Sequence, residues 1–145
     1  MAGRGRADRQ LVEQLKTVPL FSGCSARELT SLAKFLREVN FPAGRQIVQE
    51  GRTGTGLHVI IEGETKVVVG DRTRRRLGPG EFFGEISLLD RGPRTATVVA
   101  ETPVRTVSLS SWNFRDALKE HPSIAVKMLE ELASRVRSAG SSLTD

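Results

Sequence analysis

Glu85 and Arg94 are the two charged residues of this chain whose surroundings could grip a small ligand. They sit in the segment Phe82-Phe83-Gly84-Glu85-Ile86-Ser87-Leu88-Leu89-Asp90-Arg91-Gly92-Pro93-Arg94-Thr95-Ala96-Thr97-Val98. Gly78, Gly80 and Gly84 permit close backbone approach. A short helix beginning near Gly84 would present unpaired backbone N–H groups, which make a small anion site. Arg94 follows the turn at the start of a strand, so its guanidinium can return over that turn. A guanidinium beside exposed N–H groups suits a phosphate. The carboxylate of Glu85 next to an anion costs energy, unless the ligand also presents hydroxyl donors, as a ribose does. Phosphate and ribose together describe a nucleotide. An ion pair between Glu85 and Arg94 that staples the loop accounts for the same two residues.

The other reactive side chains offer little chemistry. There are two histidines and no tyrosine. His58 lies in an apolar strand run and reads as a satisfied or edge histidine; His121 reads as a helix-end residue. The single cysteine, Cys24, excludes an intrachain disulfide and a cysteine-based zinc cluster, and it suits a reducing compartment. Following Gly23 in a loop, it reads as an inert thiol. Trp112 with Phe114 reads as a core plug. The run Gly78-Pro79-Gly80-Glu81-Phe82-Phe83-Gly84 is not a dinucleotide fingerprint, and no Gly-Lys-Ser/Thr exists for a phosphate-binding loop of the nucleoside triphosphatase type. The net charge of +5 and pI near 10.1 suit nucleic acid, an anionic surface or a phosphate ligand. Arg4, Arg6 and Arg9 against Asp8 make one basic cluster, and Arg72, Arg74, Arg75 and Arg76 another. Both read as solvated surface, with no interleaved aromatics to stack bases.

These residues need a scaffold. With 145 residues, the chain is read as one domain. Leu11, Val12 and Leu15 predict a helix over 8–17, stopped by Pro19. Ser25 and Glu28 form a capping box ahead of a helix over 26–37. From Val39 to Leu109 come short β-rich runs separated by glycine turns: 47–48, 57–61, 66–69, 74–77, 95–100 and 104–109. The interruption at Glu81–Leu89 holds a small helical turn. Helices follow over 112–119, capped by Ser110 or Ser111, and over 122–138, with Pro122 in the first turn. Ala125, Met128, Leu129, Leu132 and Val136 form the stripe of the last helix. The fold class is therefore mainly β: an antiparallel jelly roll or barrel with N-terminal helices, a short phosphate-binding helix and a C-terminal helix pair. Residues 1–9 are expected as a disordered basic tail, 10–138 as the domain and 139–145 as a frayed end. No apolar run approaches the roughly 18 residues of a membrane span. No apolar signal core follows the basic start, so the expected location is the cytoplasm.

The segment resembles the phosphate-binding cassette of the cyclic nucleotide-binding domain family. That family includes the catabolite activator protein, protein kinase A regulatory subunits and the cytosolic domains of some channels. The match is Phe83-Gly84-Glu85-Ile86-Ser87-Leu88-Leu89, a gap, then Arg94-Thr95-Ala96-Thr97-Val98. The turns at Gly44, Gly51 and Gly63, the run Leu57 to Gly63, and His121-Pro122 fall where the family's elements fall, so the resemblance covers nearly the whole chain. It implies that Arg94 pairs with the equatorial oxygens of a cyclic phosphate and that Glu85 accepts from the ribose 2′-hydroxyl. It implies phosphate or ribose contacts for the backbone N–H groups of Gly84, Ile86 and Ala96, with Phe83 and Ser87 in the same site. Thr95 stands where many members place a hydroxyl on the phosphate or purine side, and Leu77 is expected to line the apolar wall. The implied ligand is cAMP, with cGMP allowed by Thr95. No metal or further cofactor is expected, and no catalysis.

Two departures matter. The last helix of the catabolite activator protein supplies adjacent Thr and Ser to the adenine, whereas Ala139-Gly140 fall at that place here. Base recognition then passes to other residues, with Ser138, Arg135 and Arg137 the candidates. Only residues 139–145 follow Ser138, so the helix-turn-helix DNA-binding module of that relative is not expected. The output is expected to run through a protein partner or self-association, with the C-terminal helix as a movable lid. Two rival readings fit the sequence less well. A metal-dependent barrel enzyme of the cupin class needs a cluster of histidines and carboxylates that His58 and His121 do not supply. An interaction module whose pocket no longer binds cyclic nucleotide is opposed by the intact pair of Glu85 and Arg94.

Overall fold

Alternation between glycine turns and β-branched runs folds the middle of the chain into two four-stranded antiparallel sheets. The computed structural model describes residues 2–53, 56–90 and 92–144, without the side chains of 2–8 and 141–144. The chain divides into two compact units, 1–35 with 115–145, and 36–114.

The β unit holds β1 (Arg37–Phe41), β2 (Gln46–Val48), β3 (Gly56–Glu62), β4 (Thr65–Val69), β5 (Arg72–Leu77), β6 (Phe82–Phe83), β7 (Thr97–Ala100) and β8 (Val104–Ser110). One sheet has the order β1-β8-β3-β6 and the other β2-β7-β4-β5. Ile60, Val67, Leu77, Phe83, Val98, Ala100 and Val104 form a core cluster, with Phe41, Ile47, Val48 and Ala96 packed on it. This is the expected jelly roll. The interruption between β5 and β7 contains the two-residue strand β6 and a 3₁₀ turn at Ile86–Leu88.

The helical unit holds α1 (Ala2–Lys16), a 3₁₀ turn at Pro19–Phe21, α2 (Ala26–Ala33), the end of α3 (Ser111–Glu120) and α4 (Pro122–Thr144). The capping box is present at the start of α2. Ser25 Oγ accepts from the Glu28 N–H at 3.1 Å, and a Glu28 carboxylate oxygen accepts from the Ser25 N–H at 2.8 Å. Ser110 Oγ accepts from the Asn113 N–H at 3.1 Å, which caps α3.

Several differences from the sequence reading have identifiable causes. α2 ends at Ala33 rather than near 37, because Arg37–Phe41 pairs with β8 as a strand. α4 continues to Thr144 past the expected frayed end, since no proline follows Pro122 and a single interior glycine costs only about 1 kcal/mol. α1 begins at Ala2; of the basic tail expected over 1–9, Met1 and the side chains of 2–8 lie outside the described residues. Trp112 is 63% exposed while Phe114 is buried, because residues two apart on a helix point to different sides. The apolar stripe of α4 also divides: Ile124 and Met128 are buried, while Leu129 and Val136 are 66% and 71% exposed. Among the described residues no helix is long and apolar enough to cross a membrane.

Candidate ligand-binding cleft

The segment after β6 is bent by Gly84, whose φ of +84° lies in the left-handed region. A Cβ on Gly84 would collide with Arg94 Nη1 and with the carbonyl oxygen of Gly56, so this glycine is required by space as well as by angle. Arg94 Nη2 donates to that same Gly56 carbonyl at 2.9 Å. The backbone of Arg94 is pinned too: its N–H donates to the Arg52 carbonyl at 2.7 Å, and its carbonyl accepts from the Gly51 N–H at 2.8 Å. Chain direction, a glycine turn and one carbonyl thus fix the guanidinium against the Gly84 backbone. Burial holds the Arg94 pKa below the usual guanidinium value, so the charged form is less comfortable here than in water.

A cleft of about 330 Å³ opens at this place. Phe83, Gly84, Glu85, Ile86, Ser87, Arg94, Thr95 and Ala96 all line it, which brings eight of the nine sequence-derived candidates together. Leu77 does not line it. Its side chain is 4% exposed and packs in the core cluster, and its carbonyl accepts from the buried Thr65 Oγ1 at 3.0 Å.

The opposite wall comes from the sheet β2-β7-β4-β5. Val48 pairs across with Val98, Val98 with Val67, and Val67 with Arg75, and all four line the cleft. Directly opposed residues in a sheet share a face, so the cleft carries a row of three valines ended by an arginine. Phe82, Asp90, Gly92 and Pro93 complete the lining. Asp90 Oδ1 accepts from the Gly92 N–H at 2.7 Å and shapes the loop that leads to Arg94. Sequence reading missed this wall and placed Arg75 on solvated surface. The alternation from Leu77 back by two residues was the available signal.

His58 stands behind the cassette. Its ring stacks on Phe83 with centroids 5.1 Å apart, meets Phe41 edge-on at 6.1 Å, and has Nδ1 3.3 Å from Thr106 Oγ1. Burial first, and then the Arg94 charge, pushes its pKa down to about 4. It is a neutral packing residue at pH 7, with the hydrogen-bond partner expected of a satisfied histidine. The first turn of α3 is tied to the cassette, since Ser111 Oγ donates to the Ser87 carbonyl at 3.2 Å. Among the described residues no group of three His, Cys, Asp or Glu side chains could hold a metal ion.

Comparison with known proteins agrees with this geometry. The family model described as the cyclic nucleotide-binding domain matches residues 38–121. A "CRP-like cAMP-activated global transcriptional regulator" of Mycobacterium tuberculosis is 36% identical over 140 residues, covering 92% of this chain and 62% of the relative. A human "Potassium/sodium hyperpolarization-activated cyclic nucleotide-gated channel 4" is 39% identical over 106 residues, covering 73% of this chain but 9% of the channel. The solved N-terminal domain of a transcriptional regulator from Streptomyces coelicolor superposes with a TM-score of 0.81 at 31% identity, covering 88% of this chain and 95% of that one. The chain thus spans less than two thirds of the length of these curated relatives.

Proposed function

The chain belongs to the cyclic nucleotide-binding domain family, and we propose that it binds a 3′,5′-cyclic purine nucleotide as a non-catalytic regulatory module, with cAMP preferred over cGMP. The observation that carries this reading is the Arg94 guanidinium, held by the Gly56 carbonyl against the Gly84 backbone at the edge of the cleft. A cyclic phosphate seated there gains two parallel charge-assisted hydrogen bonds and relieves the cost of a partly buried cation. Backbone N–H groups of Gly84, Ile86 and Ala96 add donors, and Glu85 accepts from the ribose 2′-hydroxyl. Phe83, Ser87 and Thr95 complete the walls of the phosphate and ribose end, and the valine row takes the purine.

The output runs through α4. Val126, Leu129 and Val136 leave an exposed apolar row on this helix, which a protein partner or a second copy would cover. α4 also acts as the lid, and its backbone amides gain protection from exchange when ligand binds. Calorimetric titration with cAMP, cGMP and 2′-deoxy-cAMP tests the reading. Saturable heat with a micromolar dissociation constant corresponds to about −8 kcal/mol. The deoxy ligand binds more weakly because Glu85 loses its donor. Absence of heat at millimolar cAMP and cGMP overturns the reading; equal binding of the deoxy ligand overturns the role of Glu85.

A further inference from the structure

His58 stands between the two places where Arg94 is held. Gly56, two residues earlier on β3, gives the carbonyl that accepts from Arg94 Nη2 at 2.9 Å. Phe83, the register partner of His58 on β6, precedes Gly84, whose backbone lies against Arg94 Nη1. The His58 ring is nearly parallel to the Phe83 ring, at 16° and 5.1 Å. Phe41 of β1 meets it edge-on, and Thr106 Oγ1 of β8 stands 3.3 Å from Nδ1. Thr106 is fully buried, so this contact fixes the plane of the imidazole. His58 does not line the cleft, so any effect it has on a ligand passes through Phe83 and Arg94.

The charges around this ring are one-sided. Arg94 is the cation that faces it. β8 brings Thr106 and Ser108 and β6 brings Phe83, none of them charged. On β1, Arg37 ends the row that runs through Ser108, and it is exposed to water, where it is screened. The carboxylates of the cassette, Glu85 and Asp90, stand on the cleft. Burial, and then Arg94, therefore oppose a proton on His58. An anion on Arg94 offsets the second of these causes. It lies about two strand spacings away, roughly 10 Å. At an effective dielectric constant of about 20, one unit charge at that distance changes a protonation constant by about tenfold. We infer that His58 is a positioning residue of the phosphate site, holding Phe83 and the Arg94 guanidinium in place, and that an anion seated on Arg94 lets the imidazole accept a proton. Coupling between two sites is reciprocal, so acid tightens nucleotide binding. Loss of an acceptor at Glu85 or Asp90 on acidification has the opposite sign. The ring keeps part of its surface exposed, which leaves protons a path.

The inference rests on the cyclic nucleotide reading of the cleft, and its test separates the two. The chain has two histidines, so the His58 ring is followed by NMR across pH with His121 as the internal reference. With saturating cAMP, the protonation constant of His58 rises about tenfold and that of His121 stays. The dissociation constant for cAMP falls about twofold from about pH 7 to about pH 5, a range in which the cyclic phosphate keeps its charge. His58→Phe keeps a ring on Phe83, so binding at neutral pH stays within about twofold of wild type while the acid gain disappears. His58→Ala removes the ring and weakens binding at neutral pH by roughly fivefold or more. The wild-type titration needs no variant and stands however His58→Ala folds. If cAMP binds but leaves the His58 titration unmoved, if His58→Phe keeps the acid gain, or if His58→Ala binds like wild type, the inference falls while the cleft reading stands. If wild type binds neither cAMP nor cGMP, both fall.

Discussion

Glu28 in the helical unit and Arg94 in the β unit are both charges drawn out of water, and they are treated in opposite ways. Glu28 is surrounded. Its oxygens accept from the Ser25 N–H at 2.8 Å, from Lys127 Nζ at 3.2 Å and from the Ser123 hydroxyl. The Ser123 bond foremost, then the Ser25 N–H, hold its pKa down at about 2. The result is a knot that ties α4 to the capping box of α2. Arg94 has the Gly56 carbonyl at 2.9 Å and otherwise opens on the cleft, and its pKa is displaced toward the uncharged form. A fully answered charge serves the fold. A charge answered in part, at the wall of a cavity, is poised for a ligand. The contrast predicts which substitutions affect binding and which affect folding.

The largest effect is expected at Arg94. Arg94→Ala leaves a bound phosphate without its main counter-charge and weakens cAMP binding by roughly 2–5 kcal/mol. The urea midpoint of the unliganded protein moves little, because the side chain gives up only one hydrogen bond. A loss of folding stability as large as the loss of affinity would break the contrast, by making Arg94 a structural charge like Glu28.

Acid stability comes next. His58 titrates near 4 in the folded β unit and near 6.5 when unfolded. As pH falls below about 6.5, the unfolded chain takes up a proton that the folded chain refuses. Stability is therefore complete above 6.5 and declines toward pH 4, by at most about 3 kcal/mol. Chemical denaturation across this range measures the slope. His58→Gln removes it; a slope that survives this substitution assigns it to another group.

Glu28→Ala is expected to cost about 2 kcal/mol of stability, since it deletes half of a capping box, takes the carboxylate from Lys127 and leaves the Ser123 hydroxyl without its acceptor. The native carboxylate contributes its stability above about 4.5 and loses it as pH falls toward 2. Affinity for cAMP changes far less than with Arg94→Ala. Titration of the variant checks that half of the contrast.

What the sequence revealed follows the same division between local and long-range causes. Ser25 and Glu28 are three residues apart, and both bonds of the box follow from that spacing. Phe83 to Ala96 is likewise a local run of glycine turn, carboxylate and arginine, and its members meet in one cleft. β1 was hidden because Arg37–Phe41 is a strand only through its pairing with β8. Leu77 was placed on the wall because it is apolar and near the cassette, yet burial in the core suits it better than the cleft does. Arg75 was lost in a run of four arginines and a threonine. Alternation holds from Leu77 to Arg75 and breaks beyond it, where the bulge at Arg74 shifts the register. Leu129 and Val136 were read as members of the last helix's stripe and stand exposed, since periodicity shows that a stripe exists and not what covers it.

The smallest effect is expected at Arg76, on the rim of the β unit. Arg76 lies on the outer face of the sheet, opposite Lys66, and is bonded to Glu101 at 2.9 Å. Its side chain is 65% exposed, so water and salt screen the pair and its two ends lose rotamer freedom to make it. Glu101→Gln is expected to change stability by no more than about 0.5 kcal/mol, and less still at high salt. It should leave the affinities for cAMP and cGMP and their ratio where they were, because the row Gln46, Val99, Lys66 and Arg76 faces away from the cleft. Denaturation and titration of this variant beside the wild type make the comparison. If Glu101→Gln moves the nucleotide ratio, the cleft responds to the net charge of β5 and not to the face on which a side chain stands.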